Sequence, residues 1–317
     1  MKAWLGFLAI LPVLAFPSGT TATSSDPPRN GLIAAFSSEG IQIVDPAGGP
    51  AHDLSETQEM GEPAWSPDGK SLALAAWGDE DIAVYTMSAD GSDRRLVLRN
   101  AWSPAWSPDG KRLVVVRNAC SDSYSCDDGS PTVLATVRAD GTEVREVVLD
   151  DEAATGIVSS PKWSPDGESI AFIDQESRIK VVSVKGDADR VRQVATGAQS
   201  LAWSPDGSRI AFDRAVYERE LSRQVVVVVD LATRKETVLR GPEGSAQSPT
   251  WSPDGTQLAF LSMKPSPVTG GCGGGGPMET RLWAMAPDGT KAHRIAKGFF
   301  FGTPAWARSL EPVTPTD

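Results

Sequence analysis

One short phrase constrains this chain more than anything else in it. PAWSPDGK at 63–70 returns unchanged at 104–111. Variants follow as PKWSPDGE at 161–168, LAWSPDGS at 201–208 and PTWSPDGT at 249–256, and a last trace, PAWARS, stands at 304–309. The tryptophans of the phrase are Trp65, Trp106, Trp163, Trp203, Trp251 and Trp306, spaced 41, 57, 40, 48 and 55 residues apart. The shorter spacings match the period of a four-stranded propeller blade, and the longer ones imply insertions.

Each unit parses into four strands. In 62–98, PAW is a first strand and SPDG a tight turn. In that turn Pro pre-sets φ, Asp bonds back to the local backbone and Gly takes the positive φ. KSLALAA alternates Leu72, Leu74 and Ala76 on one face as a second strand, DIAVYTM is a third, SADG a second turn and RRLVL a fourth. The two ends complete each other. Residues after 30 supply a second, third and fourth strand without a preceding AWSPDG, and TPAWARS supplies a first strand with nothing after it. The expectation is an all-β, six-bladed propeller of four-stranded antiparallel blades over 30–308, closed by strands from both termini, with a tail at 309–317. Closure of this kind removes exposed sheet edges.

The first residues read as a leader. Lys2, an apolar run and then small polar residues form the layout of a secretory signal peptide over 1–22, cleaved after Ala22, with a linker at 23–29. The run is short for a membrane span, and no later segment is apolar enough to cross a bilayer. The expected location is therefore periplasmic or extracellular. In that compartment Cys120 and Cys126 read as a disulfide closing a small loop, the alternative being two free thiols, while Cys272 is left over. The net charge of −11 argues against nucleic acid as a partner.

The phrase W-S-P-D-G, followed by a charged residue and an Ile/Leu-Ala-Phe strand, resembles the WD40-like repeat of the TolB family. The resemblance covers about residues 30–308 and implies a six-bladed propeller. TolB itself has an α/β domain before its propeller, and prolyl-oligopeptidase-like enzymes join a related propeller to a hydrolase domain. This chain reads as a stand-alone propeller, so TolB's own partners do not carry over with the fold.

The aspartates of the phrase (Asp68, Asp109, Asp166, Asp206, Asp254) read as turn formers rather than ligands, and its tryptophans as packing between blades, because a site needs unlike residues converging. Strand direction puts every SPDG turn on one face of the disc and the insertions on the other. The long stretches 117–131, 213–223 and 262–280 are expected there as loops, and VYERELSR as a short helical turn. Binding on a rigid scaffold usually lives in such loops. The candidates are Asp122, Tyr124, Asp127, Asp128, Asp151, Tyr217, Phe299 and Phe300, the phenylalanines either as a partner patch or as plugs of the channel mouth. Asp127 and Asp128 offer weak Ca²⁺ ligands at spacing unlike an EF-hand; otherwise no metal or cofactor is expected.

No G-x-S-x-G elbow occurs, and the only histidines are His52 and His293. The expected function is a non-catalytic exported scaffold contacting a protein, peptide or cell-envelope polymer through the loop-rich face. The alternative is a propeller hydrolase, lactonase or lyase with a carboxylate metal site at the channel mouth, using groups such as Glu62 or Asp151.

Overall fold

The computed structural model describes residues 30–309 apart from 48–49, 55, 79–81, 120–131, 148, 150–155, 185–190, 219–220, 264–279 and 299. The described residues form six four-stranded antiparallel sheets. The second blade shows the pattern: Met60–Trp65 innermost, then Ser71–Trp77, Ile82–Ser88 and Arg95–Arg99 outermost. Its second strand is buried continuously from Leu72 to Ala76 rather than alternately. Both faces of each sheet are covered, so alternation of size replaces alternation of polarity.

The cover comes from the neighbouring blades. Six apolar clusters fill the six interfaces, and each holds one repeat tryptophan against the preceding blade. Trp65 packs with Ile41 and Ile43 of the first blade, and Trp106 with Ala73 and Val84 of the second. Trp163 meets Val114 and Leu134 of the third, and Trp203 meets Ile179 and Val181 of the fourth. Trp251 meets Val226 and Val228 of the fifth, and Trp306 meets Leu261 and Leu282 of the sixth. Two of the indoles also hydrogen-bond backward: Trp106 Nε1 donates to the Ala64 carbonyl and Trp203 Nε1 to the Lys162 carbonyl.

The ring closes as the sequence implies. Phe300–Arg308 is the innermost strand of the first blade and pairs antiparallel with Asn30–Ser37, which continues into Gly40–Val44 and His52–Asp53. Asn30 clasps the last turn of the ring: its Nδ2 donates to an Asp254 carboxylate oxygen at 3.0 Å, and Asp254 N donates to its Oδ1 at 3.3 Å. Gly31 permits the close approach, since a Cβ there would lie 2.7 Å from the Arg308 carbonyl oxygen.

The repeat aspartates are held inside their own turns. Asp109 accepts from Ser107 Oγ at 2.6 Å and from Lys111 N at 3.1 Å, while Arg112 N donates to Ser107 Oγ. The same bonds recur at Asp68, Asp206 and Asp254. At Asp166 they come from Ser164 Oγ and Glu168 N. A second set of turns repeats the device with Asp90, Asp140 and Asp288, each accepting from the backbone and hydroxyl of the Ser or Thr two residues on.

The fifth blade corrects one expectation. Its two middle strands run Arg209–Glu218 and Leu221–Asp230, paired without interruption from Arg209↔Asp230 to Glu218↔Leu221. The described residues of 213–223 are therefore the two arms of a hairpin and not a loop, and those of VYERELSR are strand rather than a helical turn. The ladder of backbone bonds continues from the core strands into this polar segment and holds it extended.

Two outcomes follow. Trp251→Ala removes a buried indole from the interface of the fifth and sixth blades and should lower stability by about 3–5 kcal/mol, read as a lower urea midpoint. Hydrogen bonds from Ser or Thr side chains and from the backbone hold Asp90, Asp109, Asp140 and Asp288 below the ordinary aspartate range. A depressed folded pKa contributes stability that is present above the unfolded value and lost as pH falls through the folded one. Thermal melts should therefore hold down to about pH 4 and decline steeply below it. A melting temperature that rises on acidification over that range would contradict the role of these turns.

Candidate binding site: the channel and its loop-rich mouth

Counting back from each repeat tryptophan defines two rings. Three residues upstream stand Glu62, Ser103, Ser160, Ser200, Ser248 and Thr303; one residue upstream stand Ala64, Ala105, Lys162, Ala202, Thr250 and Ala305. Both rows line a central channel of about 650 Å³. The upper ring sits where the innermost strands begin, at the mouth opposite the SPDG turns.

The backbone at the upper ring is bent out of regular pairing. Glu62, Ser103, Ser160 and Ser248 have φ of 53°, 50°, 50° and 54°, and each precedes a proline. The strand register shifts at each of these places. A bulge with a non-glycine residue at positive φ is uncommon and re-aims its side chain. In the fifth blade, where Leu201 stands in place of the proline, Ser200 is not at positive φ.

Two carboxylates are anchored to this ring. Glu62 accepts from Ser103 N at 2.7 Å and Ser103 Oγ at 3.0 Å, bridging the second and third blades. Asp213, midway along the strand Arg209–Glu218, accepts from Ser200 N at 2.7 Å, Ser200 Oγ at 2.6 Å and Ser248 N at 3.4 Å, bridging the fifth and sixth. Burial pushes the Asp213 carboxyl above the ordinary aspartate range, against the pull of those hydrogen bonds. Among the described residues no three His, Cys, Asp or Glu side chains converge. Glu62 and Asp213 thus stand apart, each on its own serines.

Lys162 is the one cation of the lower ring. Its ammonium makes no hydrogen bond or ion pair with any described residue. The side chain is largely covered and lines the channel. This burial lowers its pKa from the ordinary lysine value, and the charge of Glu62 opposes the shift.

Beside the mouth lies an aromatic patch. Phe36 and Phe301 stack tilted with ring centroids 6.1 Å apart. The indole of Trp77 and the Phe36 ring both crowd Gly61, where a Cβ would meet Trp77 at 2.8 Å and Phe36 at 3.5 Å. Trp77 is 44% exposed and Phe301 49%.

The expected candidates fare unevenly. Tyr217 stands on the projecting hairpin, 84% exposed. Phe300 is 1% exposed and packs with Trp306 and Leu282, so it belongs to the core and neither forms a partner patch nor plugs the channel; the neighbouring Phe301 points outward instead. Asp122, Tyr124, Asp127, Asp128, Asp151 and Phe299 lie outside the described residues, as do Cys120, Cys126 and Cys272. Sequence reasoning passed over Lys162, Asp213, Trp77 and Phe36. For Lys162 the signal was available, since aligning the six repeats shows one lysine in a row otherwise of Ala and Thr.

Fold and channel together define a six-bladed propeller, with the Tyr217 hairpin projecting from the face opposite the SPDG turns. The family model described as the TolB beta propeller domain matches residues 38–198 and 123–268, and the chain belongs to that family. Among solved structures, the chain is similar to TolB from Acinetobacter baumannii, with a TM-score of 0.65, 20% identity, and coverage of 87% of this chain and 66% of that one. It is similar to a putative TolB from Agrobacterium tumefaciens, with a TM-score of 0.60, 18% identity, and coverage of 87% and 91%. A chain of a nidogen/laminin complex aligns with a TM-score of 0.61, 12% identity, and coverage of 87% and 98%. At these identities the likeness is one of fold. No curated protein sequence matches significantly.

Proposed function

We propose that the protein is an exported, non-catalytic scaffold that binds a protein partner through its loop-rich face. The observation that carries this reading is the aromatic patch of Trp77, Phe36 and Phe301 at the channel mouth. Half-exposed aromatic rings gathered at one place, rimmed by polar groups, are what a protein interface is built around. The Tyr217 hairpin adds a second contact on the same face. An apolar body with a polar tip suits a site that is dry when occupied and wet when empty.

The family supports the reading in kind, and the sequence of 1–22, with Lys2, an apolar run and then small polar residues, has the layout of an export leader. Among the described residues the opposite face offers short turns whose aspartates are already hydrogen-bonded. In the channel, Glu62 and Asp213 are each anchored on serines of different blades, which suits a positioned rim better than a convergent acid–base pair.

Photo-crosslinking tests this directly. A photoreactive phenylalanine analogue is placed at 301 or 217 on the elaborated face, and at 208 on the plain one, in the cell that makes the protein. Discrete protein adducts should form from 301 and 217, and disappear at 217 when Trp77→Ala and Phe301→Ser are combined. Equal adducts from 208, or none from 301 and 217, would refute the assignment.

A further inference from the structure

Lys162 breaks the repeat at a place where breaking it is costly. In the other five blades the same position holds Ala64, Ala105, Ala202, Ala305 or Thr250, so the fold has no need of a lysine there. An ammonium facing a protein-walled channel loses much of its hydration, and such a charge is ordinarily paired. Here it is not paired: Glu62 is engaged by Ser103 and Asp213 by Ser200 and Ser248. Ser160, two residues before Lys162 on the same strand, lines the same channel, and its hydroxyl makes no hydrogen bond to any described residue. Its φ of 50° belongs to the bulge that re-aims it.

We propose that the channel is a binding site for a ligand with a single carboxylate, seated by the Lys162 ammonium and the Ser160 hydroxyl and entering from the loop-rich mouth. Charge selects the class. Lys162 stands inside the channel with Glu62 and Asp213 at the rim, and Arg308 also lines the cavity, so a single carboxylate is matched by the Lys162 charge while a phosphate group bearing nearly two charges meets more repulsion from the rim acids. The hydroxyls of Ser248, Thr250 and Thr303, also without partners among the described residues, serve the polar remainder of the ligand. The volume of about 650 Å³ suits a small molecule or the end of a peptide. The site stands independently of the aromatic patch, because a free carboxylate occupies the channel whether or not a protein covers the face.

The test uses the full propeller and four probes. These are D-gluconate, a blocked peptide with one glutamate, the same peptide with glutamine, and inorganic phosphate. Binding is read by calorimetry on wild type and K162A. At least one of the two carboxylate probes should bind about tenfold or more tighter than the glutamine peptide and than phosphate, and K162A should lose that advantage. Which carboxylate binds distinguishes a free ligand from a peptide-borne one. Folding is controlled by the chain itself: K162A installs the residue that four other blades use, so it should melt at or above the wild-type temperature. Carboxylate binding unchanged in K162A, phosphate binding tighter than either carboxylate, or no difference between the glutamate and glutamine peptides together with no gluconate binding, would each overturn the proposal.

Discussion

Every blade presents two apolar faces, and neither is covered until a neighbour packs on it. That constraint governs the molecule. A row of such sheets would leave two faces bare, so it must bend into a ring. The ring is sealed where Phe300–Arg308, from the end of the chain, pairs with Asn30–Ser37 from its beginning. The interface of Ile33, Leu261, Leu282 and Trp306 therefore exists only after nearly the whole chain has been placed. Closing so long a loop is entropically demanding, although its cost grows only slowly with length. The Asn30–Asp254 clasp and the close approach at Gly31 lie at this seam.

One residue type does two opposite jobs. In the turns, aspartate is charged, exposed and held by donors two residues away, and its proton affinity falls. At Asp213 the donors come from two other strands and the carboxyl is buried, and its affinity rises. The difference is environment alone, since the hydrogen-bonding partners are serines in both cases. A turn aspartate is thereby committed to local structure, while Asp213 holds two blades in register at the rim of a cavity.

Much of the architecture was legible because the repeat spells it locally. W-S-P-D-G carries a packing residue, a φ-restricting proline, a turn-capping aspartate and a glycine in order, and six copies count the blades. What was not legible depends on contacts distant in sequence. The charged stretch 213–223 carries little alternation of its own and is extended only because a ladder begun at Arg209 and Asp230 runs on into it. Phe300 looked like a surface residue beside Phe301, but the innermost strand starts earlier than TPAWARS suggests, and period two then sends one ring inward and the next outward. The aromatic patch joins residues 36, 77 and 301, which no window of sequence brings together.

The repeats also show where function is to be sought. Positions fixed by packing recur in every blade: the interface tryptophan, the turn aspartate, the small residue facing the channel. A position that departs from its five equivalents without a structural gain is held by something other than folding. Lys162 is such a departure, charged where alanine suffices and unpaired where a charge is costly. Asp213 is another, a buried acid where the matching positions of other blades hold Ala75, Val116 or Leu261. Both lie on the channel, on adjacent blades, near its elaborated mouth. A scaffold built by repetition becomes specific only by breaking its own rule, and here two of the departures converge on the same cavity.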